Sequence, residues 1–242
     1  MKIYGHLVIS NEQTSDICRA LESIYPICDE ILVVHDGTQP ETIKWLENRR
    51  AIYNLKIWEN SFVTVREQRQ FLVDQTPINN WMVALDADEA YSMAVTRDLR
   101  DCLLNQLGQK HYDTSKKDNV PLVINIPVVN LVQDQIHSDG AGIYHSQKIF
   151  YYTEGLHWAF DQYFCHITYD ENAPMDFDKG GDTTVYSIIG KPEWILKHYA
   201  RLNPERLAWR AKHVDDPQYG KYEKQAWEKS GKVLIPLEVN KW

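Results

Sequence analysis

The first 92 residues alternate between short apolar runs and segments with helical spacing. The gaps between these runs carry helical signals, because apolar residues recur at helical spacing in 17–24 and 66–75, and Pro40 suits the first turn of a helix. The four runs with the composition of strands are YGHLVIS (4–10), ILVVH (31–35), NLKIWE (54–59) and WMVALD (81–86). Strands that alternate with helices through short connections predict an α/β fold, a doubly wound, mostly parallel sheet with helices on both faces.

Beyond the fourth run the pattern loosens. The predicted elements are an amphipathic helix over 95–107, longer antiparallel strands over 121–130 and 143–152 around an exposed loop at 137–142, and a helical tail from 204 to about 230. We therefore divide the chain into two halves of one domain, 1–92 and 93–200, and a C-terminal helical extension, 201–242.

The overall charge argues against a general nucleic-acid-binding role. The net charge is −8 with a pI near 5.6, whereas nucleic-acid binding needs a basic face. Residues 191–232 depart from this balance, with ten Lys and Arg against six Asp and Glu. This excess predicts peripheral contact with an anionic membrane surface or an acidic acceptor, and the alternative is a solvated helical surface.

The sequence also indicates a cytoplasmic protein. The first strand is not preceded by a signal peptide, and no apolar run approaches the roughly 20 residues needed to span a bilayer. The four cysteines are scattered without a paired motif, which favours free thiols in a reducing compartment.

Polar residues follow three of the four predicted strands. The first strand ends in Ser10-Asn11-Glu12, the second in His35-Asp36-Gly37, and the fourth runs into Asp86-Ala87-Asp88-Glu89. Because ligands bind at the carboxyl ends of parallel strands, we expect these side chains to converge. Carboxylates gathered at one edge repel each other, so we predict a divalent cation between them, and Mg²⁺ or Mn²⁺ suits carboxylate oxygen.

The order and spacing of these motifs resemble those of the family 2 nucleotide-sugar glycosyltransferases of the GT-A fold. The motifs are Asn11-Glu12 after the first strand, DEILVVHDGT (29–38) at the second, Gln68-Arg69-Gln70 in the helix before the fourth, and WMVALDADE (81–89). The branch that includes lipopolysaccharide-core sugar transferases is the most similar. The resemblance covers roughly residues 4–92, and the rest of the chain matches only loosely.

The resemblance implies inverting transfer of a sugar from a nucleoside-diphosphate donor to a hydroxyl of a glycan or lipid-linked acceptor, with Mg²⁺ or Mn²⁺ as cofactor. It implies the 1–92 half as the donor-binding half and the 93–200 half as the acceptor side. The implied roles are donor binding for Asn11, Glu12, Asp36, Arg69, Asp86 and Trp158, metal binding for Asp88 and His198, and catalytic base for Asp161.

Several of these residues also have a structural explanation. Asn11 and Glu12 suit the cap of the following helix, and Arg69 suits a solvated helix face. Trp158 suits the core, and His198 suits a hydrogen-bonded position without a metal. Asp36 likewise suits a turn before a glycine.

The catalytic base is the least specified position. Asp161 lies downstream of the acidic motif, as the resemblance requires, and Asp134, Asp139 and Glu89 are its rivals. The family's asparagine after the helix arginine is Gln70 in this chain, so a contact made by that asparagine does not carry over.

Two other enzyme classes fit the sequence less well. Haloacid-dehalogenase-type phosphatases require DxDGT, whereas this chain has DADEA at 86–90, and Val34 stands two residues before the DGT at 36–38. Nucleotidyltransferases have a glycine-rich basic loop after the first strand, and NEQTSD (11–16) contains neither glycine nor lysine. A non-catalytic module that binds a glycan or a nucleotide sugar remains the alternative from a different class.

Overall fold

The computed structural model describes residues 1–10, 12–60, 65–107, 122–132, 137–138, 144–161, 164–168, 175–176, 181–182, 186–191, 193–201 and 235–236. Its first part alternates strands and helices as predicted. The elements are β1 (Ile3–Ile9), α1 (Thr14–Ile24), β2 (Glu30–His35), α2 (Pro40–Glu47), α3 (Arg50–Tyr53), β3 (Leu55–Glu59), α4 (Val65–Asp74) and β4 (Asn80–Asp86). The four strands are parallel in the order β4-β1-β2-β3.

The second part extends this sheet with antiparallel strands. The remaining elements are β5 (Glu89–Tyr91), α5 (Met93–Asp101) with a π-helical continuation (Cys102–Leu107), β6 (Leu122–Val132), β7 (His137–Ser138), β8 (Tyr144–Tyr152), β9 (His157–Asp161), β10 (Phe164–Thr168), β11 (Met175–Asp176), β12 (Gly181–Asp182), β13 (Tyr186–Ile189), β14 (Leu196–Arg201) and β15 (Ile235–Pro236). Strand β8 pairs antiparallel with both β4 and β6, while β13 and β14 run parallel to β6.

Most of the predicted elements of this part are confirmed. The antiparallel strands expected over 121–130 and 143–152 are β6 and β8. The exposed loop expected at 137–142 is wrong for its first two residues, which form β7 because they pair with β6 and β15. The helical tail predicted from 204 to about 230 lies outside the described residues.

Side-chain alternation along the strands places helices on both faces of the sheet. On one face, Leu7 and Ile9 of β1 pack with Leu21 of α1 in the largest apolar cluster. On the opposite face, Val8 packs with Leu72 of α4. Successive strand residues point to opposite sides, so a central strand with apolar residues at nearly every position needs a helix on each side. The predicted fold class, a mostly parallel α/β sheet covered on both faces, is confirmed.

Asp29 links several elements at the amino edge of the parallel sheet. Its Oδ2 accepts the backbone N–H of Ile3 at 2.8 Å, and its Oδ1 lies 2.6 Å from Nη2 of Arg100 on α5. Arg100 also donates to the carbonyl of Ile27 at 2.7 Å, and the Asn54 amide donates to the Asp29 carbonyl at 2.7 Å. The carboxylate of Asp29 thus connects the start of β1 to α5.

No helix in the described ranges is both long and apolar enough to cross a bilayer. Cys18, Cys28 and Cys102 are free thiols.

Candidate functional site

The carboxyl ends of β2 and β4 lie at one edge of the sheet, with β1 between them. Val8 of β1 pairs with Asp86, and Ile9 pairs with His35, the residue before Asp36. Neighbouring strands lie about 4.8 Å apart, so the two strand ends are separated by about 10 Å. Asp36 and Asp86, 50 positions apart in the sequence, therefore border the same stretch of the sheet edge.

The ends of β1 and β2 are formed by local contacts. Asp36 is exposed, and it precedes Gly37, whose φ of +91° is in the region that favours glycine. At the end of β1, Oε2 of Glu12 accepts the backbone N–H of Ser10 at 2.6 Å. Glu12 therefore closes the turn after β1, and its neighbour Asn11 lies outside the described residues.

The end of β4 differs, because residues 86–89, the acidic turn, are held by contacts from distant elements. Nη2 of Arg69 on α4 lies 2.6 Å from both carboxylate oxygens of Asp86, and Nζ of Lys148 on β8 lies 3.1 Å from Oδ2. The Asp86 side chain is 31% exposed. Burial by itself would raise the pKa of Asp86, but the charges of Arg69 and Lys148 together hold that pKa well below its usual range.

Glu89 is the inner carboxylate of the acidic turn. Its Oε2 lies 2.8 Å from Nζ of Lys148 and accepts the backbone N–H of Asp86 at 2.9 Å, and its side chain is only 6% exposed. Burial raises the pKa of Glu89, and the nearby charge of Asp86 raises it further against the opposing effect of Lys148. Glu89 therefore folds back over the turn that contains it.

Asp88 contacts His198 of β14. Nε2 of His198 lies 3.3 Å from Oδ2 of Asp88, and both side chains are largely buried. The pairing of β14 with β5 aligns His198 with Glu89, and the backbone N–H of Tyr199 donates to the Asp88 carbonyl at 2.7 Å. Two residues 110 positions apart are thus brought together by a strand pair that forms next to the acidic turn.

The Asp88–His198 pair fits part of a metal site. Ligands bound at about 2.1 Å on neighbouring octahedral positions lie about 3.0 Å apart, close to the observed 3.3 Å. No group of three or more His, Cys, Asp or Glu side chains that could hold a metal occurs among the described residues. Two protein ligands suit an ion that takes its other ligands from phosphates and water, and an imidazole among them favours Mn²⁺ over Mg²⁺.

Comparison with known proteins gives only distant similarity. No family model and no curated protein sequence matches the chain. Among solved structures, S. aureus TarS is 14% identical over 93% of this chain and 42% of that chain, with a TM-score of 0.49. S. aureus TarS 1–349 is 14% identical over 95% of this chain and 70% of that chain, with a TM-score of 0.47. The same segment in complex with UDP is 13% identical over 94% and 70%, also with a TM-score of 0.47.

The chain therefore spans less than half of the length of the first of these proteins. Similarity at this level assigns neither a family nor an activity.

Trp158 lies in the core. Its side chain is 1% exposed and packs edge to face against Phe150 at a centroid distance of 5.7 Å, and the Arg69 guanidinium lies 5.0 Å from its ring centroid. Its backbone N–H donates to Oε1 of Gln70 at 2.8 Å. The structure therefore places Trp158 beneath Arg69, in the core position that was its alternative explanation, and its ring is too buried to stack on a sugar.

The residues considered for the base are only partly described. Asp161 is the last residue of β9, where its backbone pairs with Phe164, and its side chain lies outside the description. Asp134 and Asp139 are not among the described residues. Glu89 is described, and its contacts with Lys148 and the Asp86 N–H keep it inside the acidic turn.

Sequence reasoning missed Lys148 altogether. The expected repulsion among carboxylates is largely offset by the protein itself, since Arg69 and Lys148 compensate two of the three charges of the acidic turn. With His198 neutral, the three carboxylates of the acidic turn and their two cationic partners together carry one net negative charge. The available signal was a lysine directly before the apolar run IFYY (149–152) of a predicted strand, because a lysine buried in such a strand needs a carboxylate partner.

Proposed function

We propose that the chain is a glycosyltransferase of the GT-A type that moves a sugar from a nucleoside-diphosphate donor to a hydroxyl acceptor. The observation that carries this proposal is the contact of Asp88 with His198 beside Asp86, at the edge that also bears Asp36. A carboxylate–imidazole pair at the carboxyl ends of parallel strands suits a divalent cation bound together with phosphates. The resemblance of the motifs over 4–92 to the family 2 transferases supports the same reaction.

In this proposal Asp88 and His198 hold Mn²⁺ or Mg²⁺. The ion, when bound, would stabilise the negative charge of the departing diphosphate. Asp36 and Asp86 would accept hydrogen bonds from the ribose or base of the donor. Asn11 and Glu12, which follow β1 in the sequence, would also bind the donor. Arg69 would lie near the diphosphate while remaining paired with Asp86.

The transfer itself requires a carboxylate base. We propose Asp161, which follows the acidic turn in the chain, with Asp134, Asp139 and Glu89 as rivals. The acceptor oxygen would bond to the anomeric carbon as the bond from that carbon to the diphosphate breaks, and the base would take the hydroxyl proton. A single displacement of this kind inverts the anomeric configuration.

The acceptor and the cellular setting are further parts of the proposal. A glycan or lipid-linked acceptor would place the protein in cell-surface polysaccharide or lipopolysaccharide synthesis, in the cytoplasm. The excess of basic residues over 191–232 supports contact with an acidic acceptor or with an anionic membrane surface.

Isothermal titration calorimetry with UDP, GDP, ADP and CDP, with and without Mn²⁺, tests the proposal. We expect Mn²⁺-dependent binding of one diphosphate, weakened at least roughly 100-fold by Asp88→Asn, because the substitution removes the charged ligand of the ion. Asp98→Asn, at an aspartate on α5 paired with Arg97, is the matched control and keeps the wild-type affinity. If Asp88→Asn bound the diphosphate with the wild-type affinity and the same dependence on Mn²⁺, the metal assignment would be refuted.

A non-catalytic nucleotide-sugar-binding module is the second candidate. It is favoured by the contacts of Asp86, because both carboxylate oxygens are already bound to cationic partners of the protein, Arg69 and Lys148. Incubation of nucleotide sugars with protein and Mn²⁺, without acceptor, separates the two functions. Slow release of the nucleoside diphosphate supports the transferase, and tight binding without any release supports the module.

A further inference from the structure

Lys148 reaches the acidic turn because of an irregularity in β8. Ile124 of β6 pairs with Ile149, but the next residue, Asn125, pairs with Gln147, so Lys148 is an extra residue without an opposite partner on β6. Such a bulge changes the direction of the strand locally and re-aims a side chain. The Lys148 side chain is only 5% exposed, so its charge is directed into the protein.

The contacts of Lys148 close a ring around the acidic turn. Its Nζ binds Oδ2 of Asp86 at 3.1 Å and Oε2 of Glu89 at 2.8 Å, while the same Glu89 oxygen accepts the Asp86 N–H at 2.9 Å. The first and last residues of the turn are therefore joined through one ammonium group. Asp88, which lies between them in the sequence, takes no part in these contacts with Lys148 and contacts His198 instead.

We propose that Lys148 is a positioning residue of this site: it holds the turn from Asp86 to Glu89 in the shape that directs the Asp88 carboxylate at His198. Two strands anchor the turn. Strand β8 does so through Lys148, and β14 does so through the hydrogen bond from Tyr199 to the Asp88 carbonyl. The relevance of Lys148 to catalysis rests on the proposed function, whereas its effect on the turn does not.

The competing explanation is that Lys148 only compensates the buried charge of Glu89. Burying an unpaired carboxylate is costly, so either role makes Lys148→Met destabilising, with a loss in Tm of roughly 6–12 °C. The double variant Lys148→Met/Glu89→Gln separates the two roles, because it removes both charges together. The amide oxygen introduced at position 89 can still accept the Asp86 N–H, and Asp86 keeps its contact with Arg69. We therefore expect the Tm of the double variant to return to within about 3 °C of wild type.

Two measurements on the double variant test the inference. The first is the Mn²⁺-dependent affinity for the nucleoside diphosphate that the wild type binds, expected to fall at least roughly tenfold. The second is the pair of imidazole ¹⁵N shifts of His198, assigned with His198→Asn and recorded without metal or nucleotide. These shifts report the contact with Asp88, and we expect them to differ from those of the wild type.

A second Lys–Glu pair on neighbouring strands supplies the matched control. Lys56 on β3 lies 2.6 Å from Glu30 on β2, but the Lys56 side chain is 60% exposed. Lys56→Met/Glu30→Gln makes the same chemical change away from the acidic turn. It is expected to leave both the affinity and the His198 shifts at their wild-type values.

The outcomes distinguish the two proposals. Wild-type His198 shifts in the folded double variant overturn the inference, whatever happens to the affinity, because Lys148 then has no effect on the Asp88–His198 contact. Altered shifts with unchanged affinity support the inference and contradict the metal role of the pair. If the wild type binds no nucleoside diphosphate, the proposed function fails, and the His198 shifts still decide the role of Lys148.

Discussion

The two edges of the parallel sheet each carry an arginine–aspartate ion pair with the same 2.6 Å contact, but the surroundings of the two pairs differ. At the amino edge, Arg100 binds Asp29, and the other Asp29 oxygen accepts the Ile3 N–H. At the carboxyl edge, Arg69 binds Asp86 within a group of three carboxylates and two cations.

The two pairs differ in the partners of their aspartates. Every polar atom of Asp29 that the structure records in a contact is bound to the protein's own backbone or to Arg100, so this pair joins β1, α5 and the loop before β2. The carboxyl edge instead gathers three carboxylates, whose repulsion Arg69 and Lys148 only partly offset. The predictions below test the two edges in turn.

The largest effect among the predictions below is expected at the amino edge. Asp29→Ala removes two hydrogen bonds to a charged acceptor, from Ile3 and Arg100, and we expect a loss of about 3 kcal/mol in the free energy of unfolding. Urea denaturation followed by circular dichroism measures it. Asp98→Ala, at a pair with the exposed Arg97, should change stability by less than about 0.5 kcal/mol. A loss at Asp29 no larger than this control would contradict its structural role.

The next effect, on binding, is expected at the carboxyl edge. Arg69→Met leaves Asp86 with Lys148 alone and removes a positive charge near the proposed diphosphate site, so nucleotide affinity should fall roughly tenfold. Arg100→Met makes the same change at the amino edge and should leave the affinity unchanged while lowering stability. Calorimetry on both variants measures the contrast. If both variants bound the nucleotide as tightly as the wild type, both arginines would serve only as structural contacts.

The contrast between the edges also explains what the sequence could predict. The strands β1 to β4 and the placement of Asp36 and Asp86 at one edge follow from local periodicity and from the parallel arrangement, which requires all carboxyl ends to meet on one side. These inferences need no knowledge of the rest of the chain. The observed registers agree with them.

The interior of the acidic turn was beyond such reasoning. Lys148 reaches it through a bulge in β8, and Tyr199 reaches it through the pairing of β14 with β5. Both contacts depend on long-range strand pairing, which leaves no periodic signal in the sequence. Trp158 illustrates the same limit, because its burial depends on packing under α4 and not on its neighbours in the chain.

The smallest effect concerns the pH dependence of stability at the amino edge. Burial by itself would raise the pKa of Asp29, but the hydrogen bonds from Arg100 and from the Ile3 N–H lower it below its ordinary value of 3.8. A carboxyl group whose pKa is lower in the folded state stabilises the fold above its unfolded pKa and loses that contribution as the pH falls through its folded pKa.

Asp29→Asn, which cannot ionise, should therefore be less stable than the wild type at pH 6, and the difference should shrink steadily below about pH 4. Urea denaturation at closely spaced pH values between 2 and 6 measures this difference. Asp98→Asn corrects for the general acid response of a surface aspartate. A difference that stayed constant down to pH 2 would show that the charge of Asp29 is not what joins β1 to α5.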